Sequence, residues 1–232
     1  MRSPANQVRA KAVQWDMNRE RFPAIDEKGI FLWIDEYAYT GGQPNLKLAL
    51  AYGMVLQEML RHSDFMTGAA FTTGSSTMDI TPTGAALNTT GLVFQFYGEN
   101  FGAGTIPLAV SGDAPVPELR FAMGAEHPLT VSGSPTYPLD VVAGLSPDRS
   151  VLRIAVVNAS FEPQRLVLDV SHGAVTGLAT VRTLTGASLE AQNRLGATPE
   201  VSIIQTRARR AGSIEVPPLS ISVVAFPFAA AD

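Results

Sequence analysis

Cysteine is absent from this 232-residue chain, which excludes disulfide staples, zinc-thiolate sites and thiol nucleophiles together and leaves the redox compartment undetermined. Histidine is nearly absent as well. His62, His127 and His172 are too scattered to read as a metal cluster. Charge is sparse: 17 basic and 21 acidic residues leave a net charge of -4, with no long run of either sign. The basic stripe that nucleic acid or an anionic membrane requires is therefore missing, and neither partner is expected. No apolar run approaches the roughly twenty residues that cross a bilayer. The opening residues are polar and charged throughout, without the apolar centre of about seven to fifteen residues that a secretory signal needs, so no export signal is expected on this chain. The Asn-x-Ser/Thr triplets at Asn88 and Asn158 are accordingly read as chance.

What the chain does have is apolar content, 46% of its residues, enough to fill a real core. Its pattern changes character near residue 105. Before that point helical spacings alternate with short apolar runs, as α/β layers do. Ser3-Pro4 reads as a cap and first helical position, opening a helix through Val8, Ala12 and Trp15 that stops before Pro23. Gly29 to Ile34 reads as a strand buried on both faces. Asn45 caps a buried helix through Leu46, Leu50, Met54 and Leu60 to about Arg61. Met66 to Thr72 reads as a second strand, Thr73 to Gly84 as a loop, and Ala85 to about Glu99 as a third helix.

From Thr105 onward, strands recur every eight to twelve residues or so with Pro/Gly punctuation, the signature of an all-β sandwich or barrel. The clearest are Leu152 to Asn158, Arg165 to Val170, Thr180 to Leu184, Val201 to Gln205 and Ser220 to Phe226. Val151, Ile154 and Val156, like Leu166, Leu168 and Val170, read as half-buried strand faces.

The chemistry concentrates at Trp33-Ile34-Asp35-Glu36-Tyr37-Ala38-Tyr39. An apolar strand ending in Asp-Glu, with three aromatics and a Gly-rich loop after it, sets a carboxylate at the C-terminal mouth of an α/β sheet, where such folds keep their sites. Sugars present hydroxyls at the ring edge and C-H groups on the faces, so carboxylate and aromatic platforms together suit carbohydrate. The heptapeptide alone equally fits a solvated turn. Gly41-Gly42 lacks any phosphate-cradle pattern and reads as a hinge. His62 reads as a cap on the last helical turn, and Glu27, Glu58 and Glu99 as solvated. Arg207, Arg209 and Arg210 read as an exposed hairpin.

A run of pieces in order, from about Gly29 to Phe228, resembles the C-terminal part of family 51 α-L-arabinofuranosidases. Ile34-Asp35-Glu36-Tyr37 looks like the family's nucleophile strand, Leu60-Arg61-His62-Ser63-Asp64 like the turn after the next helix, and Thr89 to Phe101 like the helix closing the barrel. Leu139-Asp140, Val156-Val157-Asn158, Leu184-Thr185-Gly186, Asn193, Pro199-Glu200-Val201 and Pro217-Pro218-Leu219-Ser220 resemble pieces of the family's C-terminal sandwich. Two departures stand out: Tyr37 where the family commonly has Trp, and Thr72-Thr73 where a Gln is frequent.

The resemblance implies an incomplete (β/α)8 barrel remnant over residues 1–104, followed by an antiparallel β-sandwich over 105–232. It implies Glu36 as the nucleophile of a retaining hydrolase for terminal α-L-arabinofuranosyl groups, with Trp33, Tyr37 and Tyr39 as sugar contacts and no metal or organic cofactor. Retaining hydrolysis also needs a second carboxyl about 5 to 5.5 Å from the first. In the family this is a Glu after Asn, upstream of the nucleophile, and no Asn-Glu pair precedes Glu36 here. The chain is then expected to be inactive alone. Its partners are expected to be an arabinofuranosyl glycan and either further copies of itself or a chain supplying the rest of the barrel. Two alternatives stay open: a retaining barrel hydrolase for another sugar, and a non-catalytic carbohydrate-binding or structural module.

Overall fold

The computed structural model describes residues 1–38, 42–72, 76–118, 130–171, 173–208 and 213–230. The first half runs α1 (Ser3–Arg21), α2 (Ala24–Glu27), β1 (Leu32–Tyr37), α3 (Leu46–Arg61), β2 (Met66–Phe71), β3 (Met78–Thr81), β4 (Gly84–Leu87) and α4 (Thr89–Asn100). The second half is all strand: β5 (Ile106–Leu108), β6 (Asp140–Leu145), β7 (Val151–Asn158), β8 (Gln164–Val167), β9 (Gly173–Val175), β10 (Ala179–Gly186), β11 (Val201–Ala208), β12 (Ser213–Val216) and β13 (Ser220–Ala230). The architecture is mixed α/β, and among the described residues no sheet closes into a barrel. Among the described residues no helix is long and apolar enough to cross a membrane.

The main sheet has the order β11-β10-β13-β7-β6-β5, with β9 pairing the far end of β13. All its pairings are antiparallel. Successive side chains of a strand point to opposite faces, and here both faces are covered. Ala155, Val157, Ile221 and Val223 join Leu46, Leu50, Met54 and Phe96 of α3 and α4 in one core. Ile154, Val156, Val224 and Phe226 join Ile214 and Val216 of β12 in a second. The half-buried reading of Ile154 and Val156 is thereby corrected: β7 is buried from Ile154 to Asn158, because a helix layer covers the face that would otherwise meet water. Gly53 lets α3 approach closely, since a Cβ there would lie 2.7 Å from Ile221 Cδ1.

Helix starts follow side-chain chemistry. Asn45 Oδ1 accepts from Leu48 N, and Asn88 Oδ1 accepts from Thr90 N and Gly91 N, each satisfying N–H groups that the first turn leaves orphaned. The third helix therefore begins at Thr89 rather than Ala85, and residues 78–87, read as loop and helix start, instead form the β3–β4 hairpin. Ser3 is not a cap: Arg2 holds that position, with no capping side-chain bond. Asn88 and Asn158 are each 1% exposed, and both are engaged in hydrogen bonds.

Glu58 reverses its solvated reading, at 1% exposure. Arg9 Nε and Nη2 donate to its two carboxylate oxygens at 3.0 and 2.6 Å, Arg61 Nη1 donates at 2.6 Å, and His62 Nε2 lies 3.2 Å from Oε1. Arg61 also donates to Asp140 and to the Val141 carbonyl of β6. This network ties α1, α3 and the main sheet together. Burial alone would raise the Glu58 carboxyl, but the His62 bond and the two guanidinium groups outweigh it and hold the pKa down at about 2. His62 is the C-cap residue of α3. Glu99, by contrast, is partly exposed and pairs with Arg182.

Candidate active site

The carboxylates of interest sit at the C-terminal end of β1, whose one partner among the described residues is β2, in parallel. A parallel pair joined through a helix is the elementary unit of α/β folds, and such strands normally carry cover on both faces. Here β1 does not. Trp33 is 61% exposed and Phe31 58%, so the reading of Gly29 to Ile34 as a strand buried on both faces is corrected. Regular structure begins only at Leu32.

Register explains the presentation of Asp35 and Glu36. Trp33 pairs with Gly68, Ile34 with Ala69, and Tyr37 with Phe71, so three steps on β1 oppose two on β2. The irregularity falls at the Asp-Glu pair and is offset by an opposite one between Leu32 and Trp33, so that Leu32–Tyr37 and Met66–Phe71 remain equal in length; like a β-bulge, such a local shift re-aims side chains and interrupts alternation. Leu32 and Ile34 pack toward Ala12, Phe65 and Met66, while Tyr37 joins the α3 core. Asp35 and Glu36 are both exposed.

Glu36, Trp33 and Tyr37 line one groove of about 570 Å³ between β1 and α1, whose other wall carries Gln7, Lys11, Gln14 and Asn18. The groove therefore combines aromatic surface, amide and ammonium donors and one carboxylate. Tyr37 meets Phe71 edge-on with ring centroids 5.7 Å apart, and Phe71 in turn contacts Tyr52 and Phe94. Burial, with a smaller push from Tyr52, raises the Tyr37 phenol to about 12, so at neutral pH it is a hydrogen-bonding hydroxyl and a poor proton donor. Tyr39, Gly41, His127, His172, Arg209 and Arg210 lie outside the described residues; Arg207 lies in β11, whose partner is β10, while β12 pairs with β8.

Of the expected site residues, the structure thus brings together Glu36, Trp33 and Tyr37. Glu36 is the one carboxylate among the described residues lining the groove, so the two-carboxyl arrangement of a retaining glycosidase is not assembled there. No group of three or more His, Asp or Glu side chains gathers to hold a metal ion among the described residues. Sequence reasoning passed over Gly68. A glycine inside a strand pattern signals close approach of another group, and here that group is the Trp33 ring.

The sequence matches no family model and none of the curated proteins. The fold does find counterparts. An α-L-arabinofuranosidase from Thermotoga maritima in complex with arabinose superposes with a TM-score of 0.67 at 19% identity, over 94% of this chain and 47% of that one. The family 51 enzyme of Thermotoga petrophila gives 0.65 at 19% identity, over 92% and 48%, and that of Xanthomonas axonopodis pv. citri 0.64 at 18%, over 90% and 43%. The chain spans less than half the length of each of these proteins. Its fold is that of a portion of the family 51 arabinofuranosidases, a glycoside hydrolase-related fold.

Proposed function

We propose that this chain carries the nucleophile portion of a retaining glycosidase acting on terminal α-L-arabinofuranosyl groups of arabinose-containing polysaccharides. Residues 1–104 serve as the C-terminal portion of the catalytic barrel and 105–232 as the accompanying sandwich domain. Glu36 attacks the anomeric carbon, and Trp33, Tyr37 and Tyr39 contact the sugar. The observation that carries the reading is the register shift at Asp35-Glu36, which presents a carboxylate at the C-terminal end of a parallel strand beside an aromatic-lined groove. No cofactor enters, because two carboxyl groups suffice for this chemistry. The second comes from outside these residues, from adjoining polypeptide or a separate chain, so the chain by itself does not turn over.

A stoichiometric experiment tests this without the missing acid. Dinitrophenolate leaves without protonation, so 2,4-dinitrophenyl α-L-arabinofuranoside needs only the nucleophile. A Glu36 carboxylate oxygen bonds to the anomeric carbon, the phenolate departs with the bonding pair, and the ester persists because no base activates water. The expected result is a burst approaching one dinitrophenolate per chain and one arabinosyl unit on the Glu36 peptide by mass spectrometry, both absent in Glu36→Gln. An unlabelled but folded protein, or equal labelling of Glu36→Gln, would sink the proposal. Because Glu36 is the one carboxylate among the described residues lining the groove, a non-catalytic carbohydrate-binding module is the second reading, and glycan binding without label would favour it.

A further inference from the structure

The two ends of the main sheet are finished differently. At one end β5 is three residues long and carries Pro107, and short strands and proline are means by which an edge is closed to further pairing. At the other end β11 runs for eight residues, Val201–Ala208, without a proline. We infer that β11 is a self-association edge: two copies of this chain join β11 to β11, antiparallel about a twofold axis at Gln205, so that the main sheet continues from one copy into the next. The inference is independent of what Glu36 does.

The backbone of β11 shows which of its groups are open. Val201 N donates to Asn193 Oδ1 at 2.9 Å, and Asn193 Nδ2 donates to the Val201 carbonyl at 2.8 Å. Val201 thus turns both backbone groups away from β10. Antiparallel ladders alternate from residue to residue, so Ile203, Gln205 and Arg207 turn theirs away as well. Among the described residues β11 pairs with β10 alone. Ser202, Ile204, Gln205, Thr206 and Arg207 are all exposed, Ile204 by 51%. A row of free N–H and C=O groups between exposed β-branched side chains is a template for a further strand.

Asn193 also fixes the register. It already holds the backbone groups of Val201, so pairing with a second chain starts at Ile203. An antiparallel partner that fills Ile203, Gln205 and Arg207 sets Gln205 opposite its own copy and Ile203 opposite Arg207 of the second chain. Ile204 then falls against Thr206 of the second chain, and Thr206 against Ile204, cross-strand pairs of the β-branched kind that stabilise sheets. Charge agrees with this arrangement. Glu200 precedes the strand and Arg207 lies near its end, so the acidic start of one strand approaches the basic end of the other. The two Arg207 residues stand four residues apart along the paired strands, about 14 Å, beyond the screening length of about 8 Å at physiological ionic strength. Each copy offers one such open edge of the main sheet, and twofold pairing of that edge closes the assembly at two.

A strand pair is smaller than the roughly 1,200–2,000 Å² of a standard interface, so sedimentation equilibrium of the full chain is expected to show a monomer–dimer equilibrium that shifts with concentration. Gln205→Pro deletes an N–H that faces away from β10, and Ile204→Lys puts a charge at the centre of the edge. Each acts twice in a twofold dimer and should raise the dissociation constant at least roughly tenfold, with far-UV circular dichroism unchanged. Val167→Lys, at a residue of β8 that is 66% exposed, should leave it unaltered. Register is read by cross-linking, because the chain has no cysteine of its own. Opposed residues of a hydrogen-bonded pair have Cα atoms about 5.5 Å apart, within disulfide reach, so Gln205→Cys treated with diamide should give a covalent dimer. Ser202→Cys, also exposed, would stand six residues from its copy, about 20 Å, and should stay monomeric on a denaturing gel. A wild-type chain that remains monomeric at every concentration, equal cross-linking of the two cysteine variants, or undiminished dimerisation of folded Gln205→Pro or Ile204→Lys overturns the inference.

Discussion

Two strands of this chain, β1 and β7, look alike as sequence and end in opposite circumstances. Each is a short, nearly continuous apolar run: Ile30-Phe31-Leu32-Trp33-Ile34 in one, Ile154-Ala155-Val156-Val157 in the other. β7 lies in the middle of the main sheet with β6 and β13 on either side, α3 beneath and β12 above. β1 has one pairing partner among the described residues, and Ile30, Phe31 and Trp33 are 48%, 58% and 61% exposed. The strand sequence specifies a demand for cover, and neighbours decide whether the demand is met. The open pair is also where the candidate carboxylate lies, which makes the contrast a functional one.

The largest expected effect is on the network that fastens α1, the wall of the open groove, to the packed body. Glu58→Ala leaves Arg9 and Arg61 buried without their shared carboxylate, and breaking a buried pair from one side costs about 3–5 kcal/mol. Urea denaturation measures it; a loss under about 1 kcal/mol would mean that apolar packing alone holds α1. The pH dependence has a definite sign. The Glu58 pKa falls from 4.5 to about 2 on folding, so its contribution is complete above the unfolded value and is lost as pH drops through the folded one. Wild-type stability should therefore fall between pH about 4.5 and 2 by on the order of 3 kcal/mol, and Glu58→Gln should lack that component. Asp140, pushed up by burial against the pull of Arg61, titrates in the opposite sense, and because the Glu58 charge adds to that push its share is smaller in Glu58→Gln.

Matched truncations sharpen the comparison itself. Phe226 of β13 is 2% exposed and Phe31 beside β1 is 58% exposed. Phe226→Ala should cost about 3–5 kcal/mol through lost transfer and a cavity, and Phe31→Ala no more than about 0.5 kcal/mol. Equal costs would show that β1 is covered in solution by something the isolated chain provides, such as a second copy.

How far the sequence reveals all this depends on whether the deciding contacts are local. Asn45 and Asn88 stand where caps belong, and the helix bounds that follow from Asn45 match α3. The alternation in the second half yields its longer strands, while β5, β9 and β12, three or four residues each, are too short to show a period. The burial of Glu58 was legible in principle: it continues the one-face series Leu46, Leu50, Met54 by a further four residues. Its acidic character masked that, because the compensating Arg9 comes from another helix. The register shift at Asp35-Glu36 has no local signature at all. It exists only in the register between β1 and β2, and register is a property of the pair.

Between the packed half and the open one stands α4, and its cap gives the finest test. Asn88 works in two directions: its Oδ1 serves Thr90 N and Gly91 N at the helix start, and its Nδ2 donates to the Ser76 carbonyl leading into the β3–β4 hairpin. Asn88→Ala removes both roles at a buried position and should cost about 1–2 kcal/mol. Asn88→Ser keeps a cap oxygen and loses only the bond to Ser76, so it should recover about half of that. If serine proves as costly as alanine, the hairpin bond carries the effect and α4 is held from the open side. If serine is close to wild type, the helix start is what matters, and the hairpin rides on the packed half without stabilising it.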